Sequence, residues 1–171
     1  TTEYDDIRRQ VKSFVDAMIE SNLNYIVIYP NNDLGSNEIL EEYKRLDGLK
    51  QFKVYPSLRF EYFLTFLKNA SLIVGNSSAG IREAPFYNVP TVDIGTRQLN
   101  RAKFKSVFHS SYEKHEIIYN INKAIEYNPV RELSDNNYFG SGKSDVSFLR
   151  LISESEFWLT KKQKQFIDIK R

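Results

Sequence analysis

Residues 71–97 read Ser-Leu-Ile-Val-Gly-Asn-Ser-Ser-Ala-Gly-Ile-Arg-Glu-Ala-Pro-Phe-Tyr-Asn-Val-Pro-Thr-Val-Asp-Ile-Gly-Thr-Arg. Leu72 to Val74 is a short apolar run rich in β-branched residues and closed by Gly75 and Asn76, the pattern of a buried strand. The small polar residues Asn76, Ser77 and Ser78 follow. Ala79, Ile81, Glu83 and Ala84 can then start a helix capped by one of the serines. Beyond Pro90, Thr91 to Ile94 reads as a second buried strand.

Strand, small-residue turn, helix start and return strand together have a chemical use. The first N–H groups of a helix lack internal partners, and its dipole leaves that end partly positive. Ser77, Ser78 and Gly80 would let an anion such as a phosphate come close to the backbone, and the hydroxyls add donors. Glu83 could accept hydrogen bonds from sugar hydroxyls, and Arg97, just past the second strand, could reach the same rim. The same serines would equally serve as simple helix caps and Arg97 as a solvated surface charge.

Working outward, the 171 residues suffice for one domain with a proper core. A net charge of +2 gives no reason to expect a nucleic-acid or membrane surface. The absence of cysteine excludes disulfides, thiolate zinc sites and a Cys nucleophile, and fits a reducing compartment. No apolar run approaches the length of a membrane span and no signal peptide is seen, so a cytoplasmic location is expected. The chain opens on Thr-Thr-Glu without Met, which suggests a piece of something longer.

Helical spacing of Ile7, Val11, Phe14, Val15, Met18 and Ile19 predicts an amphipathic helix over 4–21. Tyr25 to Tyr29 reads as a strand buried in a parallel sheet, followed by a Pro-Asn-Asn-Asp turn. A helix through Ile39, Leu40, Tyr43 and Leu46, a strand over Phe52 to Tyr55 and a helical face of Phe60, Phe63, Leu64 and Leu67 come next. After Arg97 lies a basic loop, then a strand over Ser106 to His109, a helix from Glu116 to Tyr127 and another around Val146 to Ile152. Strands alternating with helices define an α/β fold with a parallel sheet covered on both faces. Ligands on such sheets bind outside the carboxyl ends of the strands. Asn31, Tyr55, Asn76 to Ser78 and Arg97 each follow a predicted strand end.

The segment Gly-Asn-Ser-Ser-Ala-Gly-Ile-Arg-Glu-Ala-Pro (75–85), with Val-Pro-Thr-Val-Asp-Ile-Gly-Thr-Arg-Gln (89–98), resembles the UDP-N-acetylglucosamine 2-epimerases. The likeness is to the hydrolysing branch that makes N-acetylmannosamine for sialic acid synthesis. It implies a Rossmann-like parallel sheet with helices on both faces, the C-terminal half of a GT-B-type two-domain fold. Residues 1–153 would be the nucleotide-binding domain and 154–171 a basic tail or helix. Pro30, Asn31, Asp33, Gly35 and Ser36 match a further family pattern.

The resemblance then implies a nucleotide-binding set. Asn31 contacts the nucleotide, Tyr55 lies at the uracil, Ser77 and Ser78 hold the diphosphate, Glu83 binds the ribose hydroxyls, and Arg97 supports the phosphates or the sugar. Asn31 could instead be a turn former and Tyr55 a core aromatic. Gly140, Gly142 and Lys143 resemble a late Gly-x-Gly turn of structural character. His109 and His115 match no catalytic position of the family and read as packed or surface residues.

The implied reaction is anti-elimination of UDP to a 2-acetamidoglucal, then addition of water. It calls for no cofactor and no metal. The acid and base carboxylates are expected on a missing N-terminal domain, so no catalytic residue is assigned. The family places a functional His-Pro pair before a Thr-Thr-Glu segment. Thr1, Thr2 and Glu3 match that segment without the His, so the chain alone is expected to be inactive. The expected partners are a UDP-sugar substrate, the N-terminal domain and, for the whole protein, a second copy in a homodimer, with neither nucleic acid nor membrane. The alternatives are an epimerase of the family acting on another nucleotide amino sugar or without hydrolysis, a non-catalytic sugar-nucleotide binding module, and a glycosyltransferase sharing the cleft.

Overall fold

In the computed structural model, which describes residues 6–101, 103–127 and 138–160, the helix expected over 4–21 runs over Ile7–Glu20 (α1). Its buried stripe is Val11, Val15 and Met18, with Ala17 turned toward a second core. The helix stops at Ser21, and Asn22 takes a left-handed conformation that turns the chain into β1 (Tyr25–Ile28). β1 pairs in parallel with β2 (Phe52–Tyr55), Tyr25 opposite Phe52 and Ile28 opposite Tyr55. Between them lies α2 (Ser36–Tyr43), which tightens into a 3₁₀ turn over Lys44–Leu46. Alternation puts Tyr25, Val27, Phe52 and Val54 on one face, where they meet α1, Tyr43 and Leu46.

A second parallel group carries the motif quoted above. β3 (Ile73–Gly75), β4 (Thr91–Ile94) and β5 (Val107–Ser110) lie side by side in that order. All four residues of β4 are buried, as expected for a central strand covered on both faces. Val92 and Ile94 pack on Ala17 of α1 and on Ile117, Ile121 and Ala124 of α5 (Lys114–Glu126). Thr91 and Asp93 point to the opposite face, where Thr91 Oγ1 donates to the Gly80 carbonyl at 2.7 Å. Parallel strands with helices on both faces are therefore as expected, but the ladders form a two-stranded and a three-stranded group. The helix α1 joins them, since Phe14 touches both cores.

Two local expectations change. The helix α3 (Phe60–Lys68) buries Leu67 and partly Phe63 against Ala84, Val89 and Ile73. Phe60 was expected on that face but is 61% exposed, because the cluster meets only the later turns of α3. The helix after the serines, α4, is a single turn, Ala79–Arg82. Pro85 has no N–H to continue the ladder, so the chain goes over into a 3₁₀ turn, Pro85–Tyr87, ended by Asn88 at positive φ.

The chain divides into two compact units, Thr1–Asn136 and Asn137–Arg171. The second holds the expected helix as α6 (Ser144–Ser153), then α7 (Ser155–Trp158), where Trp158 Nε1 donates to the Ile152 carbonyl at 2.7 Å. Gly140 and Gly142, both at positive φ, form the turn that precedes α6. Thr1 to Glu3, the polar stretch 128–137 and the basic stretch 161–171 lie outside the described residues.

Candidate functional site

The loops after β1, β3 and β4 leave the carboxyl ends of parallel strands, and two contacts tie them together. Arg97 Nη2, after β4, lies 3.8 Å from Asp33 Oδ2, after β1. Its neighbour Gln98 is buried and donates from Nε2 to the carbonyl of Asn76, after β3, at 2.8 Å. Asn31, Ser77, Ser78 and Arg97 are thus carried on three joined loops. Tyr55 ends β2, and its carbonyl accepts the Tyr29 N–H at 3.0 Å, zipping β1 and β2 one residue further. Glu83 sits half-buried where α4 ends, and no side-chain contact ties it to these loops among the described residues.

Of the two serines expected to cap this helix, Ser77 does so and Ser78 makes no side-chain cap bond. Ser77 Oγ accepts the Ala79 N–H at 3.3 Å, and the Ser77 and Ser78 carbonyls accept the N–H groups of Gly80, Ile81 and Arg82. The amides of α4 are therefore spent, and one turn of helix sums few peptide dipoles. The donors left are the amides of Ser77 and Ser78, which find no acceptor among the described residues, and the Ser78 hydroxyl. An anion would be met by this turn and by Arg97 rather than by a helix dipole.

The loop that carries Arg97 depends on Gly95. Its φ is +81°, and a Cβ there would run into the Tyr112 ring, so a side chain at this position would be strained and would force Tyr112 or the loop to shift.

Three features were missed in the sequence. Gln98 gives no local sign of being buried, because a polar residue after Arg in a loop usually faces water. Asp33 was read as a turn residue within a family pattern, with no partner for its carboxylate. Asp93 and His109 are third residues of neighbouring strands, and their pairing puts Asp93 Oδ2 2.9 Å from His109 Nδ1. Asp93 is 1% exposed while the His109 side chain is 44% exposed, so a buried carboxylate orients an accessible imidazole. Only the register of β4 against β5 could have revealed that pair.

A cavity of about 560 Å³ opens between α2 and the end of β2, lined by residues that include Tyr29, Tyr43, Lys44, Val54 and Pro56. It flanks Tyr55 but is not lined by any of the six expected contacts. The joined loops, which bring donors and a guanidinium to one edge, are the better candidate for binding an anionic ligand. Among the described residues no group of three or more His, Cys, Asp or Glu is placed to hold a metal ion.

Parallel strands, helices on both faces and a polar edge at the strand ends define a Rossmann-like domain of the kind found in GT-B-type nucleotide-sugar enzymes. The chain belongs to the UDP-N-acetylglucosamine 2-epimerase family, whose model matches residues 1–153. A UDP-N-acetylglucosamine 2-epimerase of Neisseria meningitidis serogroup B is 42% identical over 172 residues, covering 99% of this chain and 45% of that protein. A UDP-N,N'-diacetylbacillosamine 2-epimerase (hydrolyzing) of Legionella pneumophila is 27% identical over 150 residues, 88% of this chain and 39% of that protein. The fold matches the crystal structure of Methanocaldococcus jannaschii UDP-GlcNAc 2-epimerase in complex with UDP-GlcNAc and UDP. The TM-score is 0.68 and the identity 19%, over 89% of this chain and 42% of that one. The chain thus spans about half the length of the curated relatives it matches.

Proposed function

We propose that this chain is the UDP-binding half of a UDP-N-acetylglucosamine 2-epimerase of the hydrolysing kind, converting UDP-N-acetylglucosamine and water to N-acetylmannosamine and UDP. The observation that carries this is the joining of the loops after β1, β3 and β4 through Arg97 and Gln98, in a chain of this family. Residues 1–153 bind the nucleotide and 154–171 are an appended basic segment. Ser77, Ser78 and Arg97 hold the diphosphate, Glu83 the ribose hydroxyls, Asn31 the nucleotide, and Tyr55 lies at the uracil. The name of the Legionella relative supports the hydrolysing outcome.

In the elimination a base removes the C2 proton, the C1–oxygen bond breaks, and its electron pair leaves with UDP. Negative charge then grows on the β-phosphate. Donors fixed in place before the reaction stabilise that charge without reorganising. The Ser77 and Ser78 amides and the Arg97 guanidinium are such donors. Water then adds to the 2-acetamidoglucal from the face that gives the manno product. The base and acid belong to the other half of the enzyme, and the two halves act together in a cytoplasmic homodimer that feeds sialic acid synthesis.

Calorimetric titration of UDP into the complete protein tests this reading. Each of Ser78→Ala and Arg97→Ala is expected to weaken binding roughly tenfold, the usual loss for one hydrogen bond to a charged group. Unchanged affinity in both variants would refute the assignment. The bacillosamine relative favours a second reading, in which the sugar is a different amino sugar on the same nucleotide. Identifying the free sugar released from each candidate substrate separates the two.

A further inference from the structure

We propose that Gln98 is a positioning residue that aims the backbone amide of Ser77 at the diphosphate, an inference that rests on the nucleotide-binding reading above. Gln98 is 1% exposed, follows β4, and reaches across to the turn after β3. Its Nε2 donates to the Asn76 carbonyl at 2.8 Å. Asn76 and Ser77 share one trans peptide, in which the C=O and the following N–H point in opposite directions. Holding the Asn76 carbonyl inward therefore turns the Ser77 N–H outward, and that N–H has no acceptor among the described residues. Gly75, at φ +139°, adopts a conformation open to glycine alone and leads the chain into this peptide orientation.

The side chain is an expensive way to fill space. Gln98 Oε1 is buried with no hydrogen-bond partner among the described residues, and an unpaired buried acceptor carries its full desolvation cost. Rotating the amide would not help, since it would set Oε1 against the Asn76 carbonyl. Leucine or methionine would fill the same volume without that cost. What glutamine adds is one directed donor to the peptide ahead of Ser77. Because Gln98 is buried it does not touch the ligand, and it acts through Asn76 and Ser77.

The test compares UDP with uridine, which lacks the phosphates, in the complete protein. Gln98→Met keeps the volume and removes the donor. Roughly tenfold weaker UDP binding is expected, with uridine affinity unchanged and a melting temperature equal to or above the parent's. Gln98→Glu keeps the shape and can donate only when protonated. Its UDP affinity relative to the parent at the same pH should therefore recover as pH falls, which a packing role would not produce. If the Met variant loses its cooperative unfolding transition, the Glu variant carries the test. Equal loss of UDP and uridine, or no loss of either, overturns the role of Gln98 and leaves the nucleotide site standing. A parent protein that binds uridine and UDP equally, or neither, overturns the nucleotide-binding reading and this inference with it.

Discussion

The two strand groups of the first unit are built to different standards. In the β3–β4–β5 group the central strand is wholly buried, and Val92, Ile117 and Ile121 are sealed between α1 and α5. In the β1–β2 group only the face turned to α1 and α2 is sealed. Ile26, on the other face, is 43% exposed, and Tyr55 is also exposed. A strand flanked on both edges and covered on both faces has little freedom to move, and the loops it carries inherit that rigidity. Ser77, Ser78 and Arg97 rise from the sealed group, whereas Asn31 and Tyr55 rise from the open one. Under the proposed function, the groups that would meet growing charge are held firmly and those that would grip the rest of the nucleotide tolerate adjustment.

The largest effect should come from cutting into the sealed group. Ile121→Ala is expected to lose about 3 kcal/mol, within the usual range for a fully buried isoleucine. Ile26→Ala should stay within about 1 kcal/mol of the parent. Urea unfolding of both checks the comparison, and equal losses would break it. Gly80→Ala comes next. A Cβ there would lie 2.5 Å from Thr91 Cγ2, so α4 must move off β4, at a cost of about 1–3 kcal/mol. If thermal unfolding shows no loss, the contact of α4 on β4 is looser than described.

A smaller effect belongs to the α2 side of the open group. Burial pushes the Tyr43 phenol from its ordinary 10.0 up to about 12. The unfolded chain therefore gives up this proton first, and stability present below that ordinary value falls as pH rises toward the folded one. Between about pH 9 and pH 11 the loss should be about 1 kcal/mol, and Tyr43→Phe should remove it. A parent and a Phe variant with parallel stability–pH curves would exclude this source. The smallest effect is expected at Asp33→Asn. The Arg97–Asp33 pair is half-exposed on both sides, so its loss should change stability by about 0.5 kcal/mol or less. A larger drop would mean that the pair, and not Gln98 alone, holds the loops together.

Much of this was legible along the chain. Helical spacing placed α1 and α5 within a few residues, and short apolar runs placed the five strands found among the described residues, because each signal lies within one element. The strand-end position of Asn31, Tyr55, Ser77, Ser78 and Arg97 followed from the same reading. The extent of α4 was overestimated because the apolar spacing around Ala79 continues to Ala84, although Pro85 removes the donor the next turn needs. Phe60 was misplaced because periodicity marks a face without saying how much of it finds a partner.

By itself, then, the sequence determined the order of elements, the parallel class of the sheet and the family to which the motif belongs. Those properties depend on local periods, turn residues and a contiguous string of letters. Only the tertiary structure decided that Gln98 is buried against Asn76, that Arg97 meets Asp33, and that Asp93 orients His109. Each of these pairs lies 16 or more residues apart and comes together through strand order and register, which are settled by packing across the whole core rather than by any one segment.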